Sequence, residues 1–272
     1  IFTGNVADMR GGAIYVSSGD LQLCNCSISG NRAGLEGSAI AFGAVTATLQ
    51  NSVIWGNGPG LTLRALSSTR LTYIHSLVED VNPPTIGNLD GTLPANAPQF
   101  VIQPDFADAP TLTGNLRLLP TSPLIDRGLA SATTSTVDLD GNPRVTGTTL
   151  DIGAYERLAD QDSDGLPDIF ESLNSIPASA TGATPNADLD GDGATAIEEF
   201  LYGTSDLIPD LTQHPAGQIL SDSNQDFLAI TFQASPQALP HAFYTVERSP
   251  TLGPLANWTP DQVIFVPQSS ES

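Results

Sequence analysis

Lysine is absent from this chain: all nine basic residues are arginine, set against thirty acidic ones, for a formal net charge of −21 over 272 residues. Nucleic acid and anionic membrane are therefore poor partners, and calcium, neutral glycans or surface proteins are better ones. Charged residues make up only 14%, so the surface must be built largely of Ser, Thr, Asn and Gly. No stretch approaches the roughly eighteen apolar residues that a membrane span requires. The opening residues Ile1-Phe2-Thr3-Gly4-Asn5 lack the parts of a signal peptide and begin in mid-pattern. The expectation is a piece of a longer protein whose export signal lies upstream. The length suits two or three domains.

What the chain does have is the spacing Asp-x-Asp-x-Asp-Gly-x5-Glu, twice, between Asp160 and Glu199. The first copy offers Asp160, Asp162, Asp164, the Leu166 carbonyl, Asp168 and Glu171; the second offers Asp188, Asp190, Asp192, the Ala194 carbonyl and Glu199. A hard cation takes about six to eight oxygens, and alternate carboxylates followed by a turn glycine and a closing glutamate wrap around one point. Two Ca²⁺ ions are the expected cofactors. Ala196 stands where the first loop has Asp168, so the second loop is expected to use a water there and to bind more weakly. Ile152 to Glu156 reads as the end of a strand entering the first loop, and only exit helices are visible. Ile169, Phe170 and Leu173, like Ile197, Phe200 and Leu201, give each helix an apolar face. This arrangement resembles thrombospondin type 3 and dockerin-like calcium repeats, EF-hand-like loops lacking the entering helix. Metal is expected to order the segment and to set the angle between the modules on either side of it.

The second signal is an internal repeat. Asn5, Asn31 and Asn57 recur 26 residues apart, each after a glycine, and Gly11/Gly37, Ile14/Ile40, Leu23/Leu49, Asn25/Asn51 and Ile28/Ile54 keep the same register. A third copy at shorter spacing places Tyr73, His75, Ser76 and Val78 under Leu49, Asn51, Ser52 and Ile54. A period in this range with alternation by two predicts a solenoid of short strands, a right-handed parallel β-helix of the pectate-lyase-like kind. Asn25 and Asn51 mark a bend where inward parity resets, and an amide ladder is expected there. By that parity Cys26 points in and Cys24 out, and an i, i+2 disulfide is disfavoured. Arg10 aligns with Glu36 as a pair across coils.

The segments Phe2-Thr-Gly-Asn5 and Gly11-Gly12-Ala13-Ile14 resemble the repeats of polymorphic outer-membrane proteins and related bacterial surface β-helices. Residues Leu116 to Gly128, Asp138 to Arg144 and Asp151 to Glu156 resemble the terminal region of bacterial choice-of-anchor Q proteins. That resemblance implies an exported β-helix on a cell surface, with the Pro- and Gly-rich stretch before it closing the solenoid. Asp138-x-Asp140-Gly141 has Pro143 and Thr149 where a calcium loop needs Gly and Glu, so an Asx turn is expected.

The domain reading is β-helix coils over 1–82, a cap over 83–156, the double calcium loop over 157–204, a linker over 205–218 and a partial β-sandwich over 219–272. The sandwich rests on alternation in Phe227–Phe232, Phe243–Glu247 and Val263–Val266, with Tyr244–Ser249 and Trp258 resembling modules of secreted bacterial proteins. No catalytic constellation is visible. Asp8, Asp20 and Glu36 find Gly34, Thr46 and Thr62 one period on, and His75, His214 and His241 have no nucleophile pattern. The functional expectation is a non-catalytic secreted or surface scaffold of a bacterium. The alternative is the C-terminal part of a β-helix polysaccharide lyase or hydrolase whose active coils lie upstream.

Overall fold

The computed structural model describes residues 1–65, 68–85, 87–177, 184–209, 216–222, 225–231, 247–248 and 259–260, together with Ser235 and Ala238. The chain divides into two units, Ile1–Pro240 and His241–Ser272. The fold is mainly β and its principal sheets are parallel.

Three successive coils supply equivalent strands. The first gives β1 (Phe2–Thr3), β2 (Val6–Ala7) and β3 (Ile14–Cys24); the second gives β4 (Ser27–Ser29), β5 (Arg32–Ala33) and β6 (Ile40–Gln50). The third gives β7 (Val53–Ile54), β8 (Leu63–Ala65) and β9 (Arg70–Ile74), and β10 (Leu77–Val78) begins the next. Each pairs in parallel with its counterpart one coil away: Phe2 with Ile28, Ile28 with Ile54, Ile54 with Val78, and Leu23 with Leu49. The third coil is shorter, so Leu63 and Tyr73 meet Ile40 and Leu49. The repeat read from the sequence is thus the pairing register.

Alternation by two then sorts the side chains. Ile28, Ile54 and Val78 are buried among Leu23, Ile40, Phe42, Val45 and Leu49 inside the stack. Their neighbours Val53 and Leu77 face the other way, into a second core with Phe100, Leu116, Leu118, Leu124, Ile152 and Tyr155. The sheet β1-β4-β7-β10 is therefore covered on both sides. The outer cover comes from the segment read as a cap, which carries the antiparallel pair β11 (Phe100–Ile102) and β12 (Asn115–Leu118). Residues near 88–91 do extend the end of the stack, with Leu89 N–H donating to the Ser76 carbonyl. The rest runs along its flank.

That flank explains where the bend polar groups go. Asn25, Asn51 and His75 all have positive φ (51°, 48° and 44°), as a bend column requires. They do not form the expected amide ladder. Asn25 donates to Thr133 Oγ1, Asn51 donates from Nδ2 to the Leu129 carbonyl and accepts at Oδ1 from Leu129 N–H, and His75 Nδ1 donates to the Arg127 carbonyl. The column is a row of hooks holding the segment 127–133. The amide ladder sits instead at Asn5, Asn31 and Asn57, joined Nδ2 to Oδ1 at 2.7 and 2.8 Å, each Oδ1 also taking the backbone N–H of the preceding coil's Asn. A hydroxyl ladder runs beside the bend: Ser52 Oγ takes the N–H of Cys26, and Ser76 Oγ takes that of Ser52.

A further expectation is corrected at Ile152–Glu156, while Cys24 and Cys26 are free as expected; both are half-buried, and Cys24 Sγ donates to the Ala132 carbonyl in segment 127–133. Cys26 packs against the inner core, and burial pushes its thiol up. Ile152–Glu156 is not a strand end. Its groups are used singly: Gly153 N–H bonds Asn51 O, Ala154 N–H bonds Ser27 Oγ, and the buried Arg144 takes the carbonyls of Gly153 and Ala154. Asp138 is an Asx turn as expected, accepting from Asp140 N–H and Asn142 N–H, while Asp140 pairs with Arg117 at 2.7 Å.

Past the acidic loops, β13 (Ala216–Asp222) and β14 (Gln225–Thr231) form an antiparallel hairpin, whose first residues lie in the span read as linker. In the second unit β15 (Glu247–Arg248) pairs antiparallel with β16 (Thr259–Pro260). The predicted strands at Phe243–Val246 and Val263–Val266, with Trp258, His214 and His241, lie outside the described residues.

Candidate metal centre

The two loops share most of their backbone hydrogen bonds. Gly165 N–H donates to Asp160 Oδ2 and Gly193 N–H to Asp188 Oδ2, and both glycines have φ of 101°, a conformation L side chains rarely adopt. Leu166 N–H and Ala194 N–H donate to Asp164 and Asp192. Asp168 N–H reaches the Ala159 carbonyl, and Ala196 N–H the Ala187 carbonyl. Short helices leave each loop: α1 (Asp168–Leu173) behind Pro167, and α2 (Ala196–Tyr202) behind a Thr195/Glu198 capping box. Asp160, Asp162 and Asp164 each bring a carboxylate oxygen within 4.8 Å of the others, and so do Asp188, Asp190 and Asp192.

The helices pack on each other through Phe170 and Phe200, edge to face at 5.4 Å. Leu166, Ile176, Ala196 and Ala238 complete that small core, with Ile197 and Leu201 at its margin. Leu173 and Ile169, expected in it, are exposed. Six residues of α1 place them on the outer side, and Leu166 and Ile176 on either side of the helix take their role. Ser205 Oγ donates to Asn174 Oδ1 across the two loop modules.

Glu171 and Glu199 close the loops and are both fully buried. All four of their carboxylate oxygens, with Asp160 Oδ1, Asp162 Oδ2 and Asp190 Oδ2, find no hydrogen-bond partner among the described residues. Ionised carboxylates only accept, and here acceptors face acceptors. Burial, then the carboxylates of Asp162, Asp164, Asp168 and Asp160, push Glu171 up to about 7. Burial, then the adjoining Asp206, push Glu199 up to about 8. Buried glutamate oxygens lacking donors, beside three clustered aspartates, are relieved by a proton or by a cation, and this set of carboxylates suits a hard divalent ion.

Asp206 is the residue the spacing argument missed. In the first loop Asp168 Oδ1 accepts from Gln161 N–H at 2.8 Å; in the second, Asp206 Oδ1 accepts from the matching Leu189 N–H at 2.9 Å. The sequence signal was the gap itself: Ala196 lacks the carboxylate, and the turn Gly203-Thr204-Ser205-Asp206 brings one back.

The coil stack shows no comparable cluster among the described residues. Glu36 lies between Arg10 (3.5 Å) and Arg64 (3.1 Å), and Asp20 pairs in register with Thr46. No described helix is long and apolar enough to cross a membrane. No curated protein and no solved structure matches the chain. Residues 1–17, which carry the first coil's β1 and β2 and the opening of β3, are similar to the Chlamydia polymorphic membrane protein (Chlamydia_PMP) repeat.

Proposed function

We propose that this chain is part of a secreted or surface-displayed bacterial right-handed parallel β-helix protein that binds two calcium ions and serves, without catalysis, as an adhesion or display scaffold. The observation that carries the calcium reading is the pair of buried glutamates, Glu171 and Glu199, whose oxygens find no donor among the described residues, each closing a loop that gathers three aspartate carboxylates within 4.8 Å. In this reading Asp160, Asp162, Asp164 and Glu171 hold one ion and Asp188, Asp190, Asp192 and Glu199 the other, with the Leu166 and Ala194 carbonyls adding backbone oxygens. Asp168 is the fifth carboxylate of the first set, its Oδ1 also accepting from Gln161 N–H.

The surface role draws on the similarity of residues 1–17 to an outer-membrane protein repeat and on the acidic, lysine-free composition. The non-catalytic reading draws on the pairing of Glu36 with two arginines, an arrangement that neutralises a carboxylate rather than activating one. Calorimetry of calcium added to the chelator-stripped full chain is the test. Two ions are expected to bind, and no uptake at about 1 mM, where extracellular modules bind, would overturn the reading. A glycan panel offered to the same chain should show binding or nothing; release of cleaved products would overturn the scaffold role.

A further inference from the structure

We propose that Asp206 is the fifth carboxylate of the second calcium site, replacing from beyond the helix the group that Asp168 supplies from within the first loop. The inference rests on the calcium reading above and adds to it a residue outside the loop motif. Three observations carry it. Asp206 is fully buried although it lies in a turn of an acidic surface segment. Its Oδ1 is held by Leu189 N–H, between Asp188 and Asp190, which fixes the carboxylate at the loop. Its Oδ2 finds no partner among the described residues and adjoins Glu199, whose two oxygens are equally without donors.

A neutral acceptor would satisfy Leu189 N–H. Burying a second carboxylate against Glu199 costs free energy that a hydrogen bond to one amide does not offset, so the charge itself has a use. With Asp206 each site has five carboxylates, and the second is not the poorer one that Ala196 suggests. The route of the chain differs, however. The first set closes within Asp160–Glu171, whereas the second reaches past α2 through Gly203, whose φ of 77° and N–H bond to the Glu199 carbonyl turn the chain back. Ion binding at the second loop therefore pins residues 203–206, and through Ser205 and Asn174 the end of α1.

The experiment compares calcium titrations of the full chain with those of Asp206→Asn, which keeps an oxygen for Leu189 N–H but removes the charge. One of the two ions is expected to weaken by on the order of 10- to 100-fold, the effect of losing a ligand or its close support, while the other is unchanged and reports that the variant is folded. Adding Ala196→Asp should restore part of the loss. Calcium-dependent amide protection at Ser205–Leu207 should disappear with the weakened ion. Two ions bound with unaltered affinities by Asp206→Asn would overturn the role of Asp206 and leave the calcium reading standing. Loss of both ions would also overturn it, since the effect must be confined to one site. No uptake by the unaltered chain would overturn the calcium reading and this inference together.

Discussion

The coil stack and the acidic segment are both built by repetition, yet they resolve their polar groups in opposite ways. In the stack each repeated polar residue is completed by its copy one coil away: Asn5, Asn31 and Asn57 pass donors and acceptors along the axis, as do Ser52 and Ser76. In the acidic segment the repeated residues are all acceptors, so the copies do not complete one another, and buried oxygens at Glu171 and Glu199 remain over. Repetition is self-sufficient only where the repeated group carries both a donor and an acceptor. An asparagine does; an ionised aspartate does not.

If the comparison is right, the two regions should fail independently. Ile54→Ala, at a site with no exposure between two sheet neighbours, is expected to cost about 2–5 kcal/mol in chemical denaturation. Calcium uptake should be unaffected by it; a coupled loss of metal binding would break the comparison. Next in size is chelation. With calcium at 100 times its Kd the folded loops gain about 2.7 kcal/mol per ion, so chelator should strip amide protection from residues 160–206 and leave β3 and β6 protected. Equal loss in the coils would show one cooperative unit.

A third test lies where the two regions join. Burial, then Asp151, push Glu156 up to about 9 against the pull of Arg144, and Asp151 itself is raised to about 6 by burial. A raised carboxyl means that the folded form holds its proton longer than the unfolded chain. The contribution is therefore present below the ordinary carboxyl range and is lost as pH rises through about 9. Melting temperature should fall with rising pH over that window, and Glu156→Gln should flatten the fall; an unchanged slope would mean that Arg144 keeps Glu156 ionised throughout. The smallest effect is expected at the surface of the stack. Arg10→Ala should cost no more than about 1 kcal/mol, because the pair is exposed and Arg64 remains on Glu36. A larger loss in thermal melting would show that the ion pairs, not the ladders, hold the coils in register.

Much of this was legible in advance because it is periodic. Ile28 on Ile54, Leu23 on Leu49 and Arg10 on Glu36 follow from one repeat length, and the turns at Gly165 and Gly193 follow from the alternating aspartates before them. Helix faces were read less well: α1 is six residues long, so a single turn's rotation decided that Leu173 is exposed and Leu166 buried.

What the sequence by itself determined was the coil register, the positions of the bends and the two acidic loops, since each depends on spacing within a short span of chain. Tertiary structure alone decided which partner each bend residue takes and which distant carboxylate accepts from Leu189 N–H of the second loop. Asn25, Asn51 and His75 hold residues 127–133, far away in the chain and without any repeat to announce them. Asp206 reaches Leu189 only because α2 and the Gly203 turn fold it back. Contacts between a periodic element and an aperiodic one leave no pattern in either, and only the packed chain brings them together.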